Sequence, residues 1–134
     1  GFICTDKPSV CTGTFAGPAL DLSESRLSGT LPTQLGLYAQ LTSIELFSNA
    51  LSGTVPSELG VLAALTGLGL HDNRLSGTLP VALSHLLHNR HLTYLDLRRN
   101  ELSGSPPRGL AELCMREQSS CHGEVLEGCC GLPP

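Results

Sequence analysis

Asp21 and Glu45 stand 24 residues apart in a chain of 134, and two carboxylates are the simplest apparatus for acid–base work. Brought to about 5 Å of each other they would match a retaining glycosidase, in which one carboxyl protonates the leaving oxygen and the other attacks carbon. A second set is His85, His88 and His91 in the run HLLHNRH. Histidines three apart on a helix share a face, and such a pair can contribute to a metal site. The third set is six cysteines: Cys4, Cys11, Cys114, Cys121, Cys129 and Cys130. Their spacing lacks the Cys-x2-Cys pairs of zinc sites, and an even number gathered at the two ends reads as disulfide clamps in an oxidising compartment. Cys4 with Cys11 is the natural N-terminal pair. A bond between the adjacent Cys129 and Cys130 would need a strained ring, so each is expected to pair with Cys114 or Cys121, and both connectivities stay open.

What must position these groups is a repeat. LSGTLP at Leu27 returns as LSGTVP at Leu51, LSGTLP at Leu75 and LSGSPP at Leu102. Aligned on that phrase, the chain divides into 17–40, 41–64, 65–91 and 92–113, preceded by an N-terminal cap, 1–16, and followed by a Cys-rich cap, 114–134. The shared frame is L-x-x-L-x-L-x-x-N-x-L-S-G-x-x-P. Self-similarity at this period means a solenoid, in which no unit buries its apolar face alone.

Each position has a physical reason. In the x-L-x-L-x part, side chains alternate across a strand, so Ile44 with Leu46, Leu68 with Leu70, and Leu95 with Leu97 point inward. Asn49, Asn73 and Asn100 fall where the chain leaves the strand, and their amides can bond backbone groups of their own and adjacent coils. Gly53, Gly77 and Gly104 permit a tight turn. Pro56 and Pro80 fix φ at the start of a short helix-like segment whose leucines close the core from the convex side. Thr30, Thr54 and Thr78 form a row that suits a second short strand rather than an ice-ordering surface. The three extra residues of the third unit, around the histidines, read as a convex insertion, where added length costs little; no metal is expected there.

The L-S-G-x-x-P frame, with four copies agreeing in residue type and spacing, resembles the plant-type leucine-rich repeats of receptor ectodomains and secreted inhibitor proteins. The resemblance covers about residues 17–115, and the flanking cysteines are similar to the disulfide caps of that family. Ser25 stands where the first copy would carry Asn, and Pro106-Pro107 alters the last copy, as end coils often do. The resemblance implies an α/β architecture: a right-handed leucine-rich-repeat solenoid of about four coils. It would carry a parallel concave β-sheet, short helical or 3-10 convex segments, and disulfide-capped ends.

In such a solenoid, residues one unit apart stack at about 4.8 Å and form columns on the concave face. Four columns are expected: Ala19, Ser43, Gly67, Tyr94; Asp21, Glu45, Gly69, Asp96; Ser23, Phe47, His71, Arg98; and Glu24, Ser48, Asp72, Arg99. The first coils are acidic and the last is basic. Like charges at Asp21 and Glu45 would repel, and a basic partner, a cation, or Arg98 and Arg99 nearby could compensate them. An open, shallow face offers no enclosed pocket to raise one carboxyl's pKa, so no catalytic residue and no enzyme are expected, and no cofactor is implied. Phe47, His71, Tyr94, Arg98, Arg99, Asp21, Glu45 and Asp96 are therefore candidate binding residues, since aromatic and Arg side chains often dominate interfaces.

A net charge of −4 argues against nucleic acid, whose binding rests on Lys and Arg neutralising phosphates. No apolar run reaches the roughly 20 residues of a transmembrane helix. The chain opens on Gly1, as expected after removal of a targeting segment on the way to a secreted or other oxidising location. Two roles follow. One is a recognition module for a protein or peptide. The other, suggested by small size and a mean hydropathy of +0.10, is a structural subunit of a larger extracellular or lumenal assembly.

Overall fold

Strands recur once per repeat, and the reason lies in the alternation of leucines with small or polar residues. The computed structural model describes residues 1–88, 91–104 and 109. Ala19–Asp21 (β1), Ser43–Glu45 (β3), Gly67–Gly69 (β5) and Tyr94–Asp96 (β7) form one parallel sheet in the order β1-β3-β5-β7. Ser28–Thr30 (β2), Ala50–Gly53 (β4), Arg74–Thr78 (β6) and Glu101–Ser103 (β8) form a second, in the order β2-β4-β6-β8. Between sheets the chain passes through 3-10 turns at Thr33–Leu37, Ser57–Val61 and Val81–Leu83.

The leucine frame becomes a continuous core. Leu20, Ile44, Leu68 and Leu95 pair in register along the first sheet and are all buried. Leu41, Leu46, Leu51, Leu59 and Leu62 surround the second coil from all sides. Truncating one to Ala removes contacts from its own coil and both neighbours, at about 2–5 kcal/mol.

Asparagine closes each coil. Asn49 Nδ2 donates to the carbonyls of Leu22 and Leu46, both at 2.9 Å, while its Oδ1 accepts from the Ser25 and Leu27 amides. Asn73 and Asn100 repeat the pattern one and two coils along. Ser25, in place of the first asparagine, bonds the Ser23 carbonyl instead, which suffices at an end with no earlier coil to reach. Gly53 and Gly77 lie in the left-handed region, φ 77° and 73°. A Cβ at either would come 3.0 Å from the Cγ2 of Thr30 or Thr54. The threonine row is thus a packing partner of the turn glycines, and it lines an open groove with Pro56 and Pro80.

The N-terminal cap is two short helices, Ile3–Asp6 (α1) and Pro8–Thr12 (α2), joined by a Cys4–Cys11 disulfide. Pro8 starts α2, where its missing N–H costs nothing. Tyr38 ties the cap to the first coil: its hydroxyl donates to Ser9 O at 2.9 Å and Val10 O at 2.6 Å, and its ring meets Phe15 edge-on. The three-residue insertion becomes a helical turn, Ser84–His88 (α3), with Leu86 buried and His85 exposed. Cys114, Cys121, Cys129 and Cys130, the cap 114–134, Ser105, Pro106-Pro107 and the side chain of His88 lie outside the described residues.

Candidate functional site

The first sheet presents its polar positions as the four columns that the repeat implies. Asp21 pairs in register with Glu45, Glu45 with Gly69, and Gly69 with Asp96. Beyond the strands the ladder continues: the Glu24 amide bonds Phe47 O, the Ser48 amide bonds His71 O and the Asp72 amide bonds Arg98 O. The last column sits on a left-handed backbone at every coil, with φ between 52° and 56° at Glu24, Ser48, Asp72 and Arg99. A residue in that region costs about 1–2 kcal/mol, and here it swings the chain out of the sheet just before the coil-closing residue.

Chemistry on this face is uneven. Phe47 and His71 stack with ring centroids 4.6 Å apart and planes 8° from parallel. His71 Nδ1 is buried and faces Asp96 Oδ2 at 3.5 Å, outside hydrogen-bonding geometry. Asp96 is not the solvated carboxylate that an open face suggests: its side chain is only 7% exposed. It accepts from the Arg98 amide at 3.0 Å, from Arg98 Nε at 3.0 Å and from Nη2 at 2.6 Å. Burial pushes its carboxyl up, but the Arg98 bonds outweigh that and hold it below the ordinary Asp range. Asp72 accepts from Arg99 Nε and, at 2.6 Å, from Arg99 Nη2, which holds its carboxyl low. The two arginines read from sequence as a basic patch are therefore engaged by Asp96 and Asp72.

Glu45 is in the opposite situation. Burial, then the carboxylates of Asp21 and Asp96, push its pKa up. Asp21 itself is held low by the Ser23 hydroxyl at 2.6 Å and the Ser23 amide at 3.0 Å. Glu45 can lie flat because the next coil offers glycine: Gly67 and Gly69 carry no side chains and are buried, and the Glu45 carboxylate occupies the space a Cβ on Gly69 would need. From the far side, Tyr94 leans over the same two glycines, with its Cδ1 3.6 Å from where a Gly67 Cβ would sit. Tyr94 remains 38% exposed.

The comparisons bear on the repeat scaffold that carries these residues. The family model described as Leucine Rich Repeat matches residues 64–86 and 91–113. The BIR2 ectodomain from Arabidopsis thaliana is 39% identical, with 69% of this chain and 47% of that one covered at a TM-score of 0.63. The chain is a leucine-rich-repeat protein of the plant type. The BIR3–SERK2 complex from the same plant is 34% identical to this leucine-rich-repeat chain, with 82% and 59% covered and a TM-score of 0.67. The Arabidopsis receptor kinase HAESA, solved with the peptide hormone IDA and the co-receptor SERK1, is 30% identical, with 69% and 16% covered and a TM-score of 0.62. The repeat protein thus spans less than two-thirds of the length of each of these solved chains. No curated protein matches it.

Among the candidate residues, the fold brings Phe47, His71, Asp96 and Arg98 into one contact chain, and sets Glu45 and Tyr94 over the paired glycines, with Asp21 beside Glu45 on the preceding strand. Arg99 stands apart with Asp72. Sequence reading passed over Thr42, Thr66 and Thr93, whose hydroxyls bond Pro18 O, Thr42 O and Thr66 O and brace the sheet edge. The signal was present, since each Thr follows a frame Leu. Gly67 and Gly69 of the third coil were placed in the columns without a role, whereas Glu45 and Tyr94 rest on them. Among the described residues, no group of three His, Cys, Asp or Glu side chains could hold a metal ion.

Proposed function

We propose that this protein is a non-enzymatic recognition module that takes a protein or peptide on its concave sheet, in an extracellular or other oxidising location. The observation that carries the reading is the exposed Tyr94 ring and the Phe47–His71 stack on a sheet face that no other element of the described residues covers. Aromatic groups of that kind supply interface energy at little entropic cost. The relatives lend support, because HAESA was solved with a peptide hormone and a co-receptor. The Cys4–Cys11 disulfide supports the location.

Phe47→Ala combined with Tyr94→Ala tests the assignment. Both side chains are partly exposed, so folding should survive. Arg98→Ala is a poor choice, because it would strand the buried Asp96. Immobilised wild-type protein and the double variant are each exposed to extracellular fluid of the source organism, and retained proteins are compared by mass spectrometry. A partner retained by the wild type and lost by the double variant supports the concave face; identical retained sets defeat it.

A second reading, an accessory or structural subunit of a larger assembly, draws on Leu37 and Val61. They occupy the same position in consecutive 3-10 turns and are 67% and 65% exposed. Light scattering across a hundredfold concentration range tests self-assembly. A constant monomer mass rules it out.

A further inference from the structure

We propose that the occupant of the concave face is a basic, extended segment of a protein partner, with a Lys or Arg side chain resting on Glu45 and Tyr94 where they cover Gly67 and Gly69. This deepens the recognition reading and rests on it.

Charge complementarity fixes the occupant. The four columns carry five carboxylates, at Asp21, Glu24, Glu45, Asp72 and Asp96, against two guanidinium groups. Both guanidinium groups are already engaged, Arg98 by Asp96 and Arg99 by Asp72. What remains of these columns toward the first coils is acidic: Asp21, Glu24 and Glu45 share them with no Lys or Arg, and Arg26 lies two residues beyond the last column. A partner with acidic side chains would meet repulsion there, and a neutral one would leave Glu45 half-buried against two other carboxylates.

The seat is shaped for a cation. Its floor is the backbone of Gly67 and Gly69, which have no side chains and are buried beneath Glu45 and Tyr94. One wall is the Glu45 carboxylate, and the other is the Tyr94 ring, whose Cε1 lies 3.5 Å from where a Gly69 Cβ would stand. A carboxylate facing an aromatic ring across a side-chain-free floor offers an ammonium or guanidinium both an ion pair and a cation–π contact. The aliphatic stem of Lys or Arg can lie along the ring while the charge reaches Glu45. Four strands at about 4.8 Å span roughly 14 Å, the length of an extended segment of four or five residues. Alternate side chains of that segment would face the sheet.

The experiment uses three fluorescein-labelled decapeptides in which Ser alternates with Lys, with Gln or with Glu, and reads binding by fluorescence anisotropy at low and at physiological salt. The Lys peptide should bind at least tenfold more tightly than the Gln peptide, the Glu peptide should not bind, and affinity should fall as salt rises. Glu45→Gln and Tyr94→Ala should each weaken the Lys peptide about tenfold. Glu58→Gln, a carboxylate on a 3-10 turn away from the face, should leave it unchanged. Equal affinity for all three peptides, absence of binding by the Lys peptide, or an equal loss in Glu58→Gln and Glu45→Gln overturns the basic-segment assignment. The two readings fail differently. If the Gln or Glu peptide binds better and Phe47→Ala with Tyr94→Ala abolishes it, the concave face stands and the basic occupant falls. If the Lys peptide binds and that double variant is indifferent, the concave face itself falls.

Discussion

The Glu45 carboxylate lies across Gly69, one coil along, in the space that the smallest added side chain would take. A single methyl group therefore tests whether Glu45 is held in place by the absence of a neighbour. Gly69→Ala should push the carboxylate off the sheet and weaken a Lys-containing ligand about tenfold. The far end of a flexible side chain can move aside, so the cost to stability should be small, about 1 kcal/mol. Peptide titration and urea unfolding of the same variant separate the two effects. A variant that loses stability but keeps affinity would mean that the resting position of Glu45 is irrelevant to binding.

Acid and base act on this face in opposite directions. The folded pKa values of Asp21, Asp72 and Asp96 are lowered, so each favours folding above its unfolded pKa, and that contribution is lost as pH falls through the lowered value. The folded pKa of Glu45 is raised by burial and by Asp21 and Asp96. The fold prefers its protonated form, and the contribution present below the unfolded Glu pKa is lost as pH rises through the folded one. Glu45→Gln should therefore raise Tm by about 1–4 °C at pH 7 and change it little at pH 3. Scanning calorimetry at both pH values decides the point, and a gain equal at the two would show that charge is not the cause.

Most of the scaffold was legible because its determinants are local and repeated. Ile44, Leu68 and Leu95 lie one frame apart in sequence and pair in register in space. Asn49, Asn73 and Asn100 close successive coils as their position implied. The columns of the candidate face were legible for the same reason. What each column does was not, because that depends on side-chain contacts across coils. Arg98 turns back onto Asp96, two residues earlier at the end of β7. Arg99 reaches Asp72, 27 residues away. The expected basic end is thereby neutralised, and acidity is left on the earlier coils at Asp21, Glu24 and Glu45. The Tyr38 anchor was invisible too, since no periodic rule relates Tyr38 to Ser9 and Val10.

Asn73 is the most demanding test of the coil-closing role, because it is buried with neighbours on both sides. Its Nδ2 donates to Leu46 O and Leu70 O at 2.9 and 3.1 Å, and its Oδ1 accepts from the Leu51 amide at 3.0 Å. Asn73→Ala leaves a buried donor and two acceptors with fewer partners, at about 3 kcal/mol in total. Urea unfolding measures the loss. Hydrogen exchange adds a local reading, in which the Leu51 amide should lose protection before the amides of β1 do. Uniform loss along the chain would point to global destabilisation without a local coil defect.

The Arg98–Asp96 pair separates structural from binding electrostatics. Asp96 is nearly buried and takes three of its hydrogen bonds from Arg98, one of them from the backbone amide. Arg98→Ala removes two of them and leaves a buried carboxylate, which should cost about 2–3 kcal/mol. Asp96→Asn removes the charge that needs compensation, so adding Arg98→Ala to it should cost much less, and the cycle should give a coupling of about 1–2 kcal/mol. If Arg98 acted chiefly on a ligand, the single and double backgrounds would lose equal stability and the coupling would vanish. A coupling of the expected size places Arg98 in the scaffold and leaves Glu45 and Tyr94 to meet the partner.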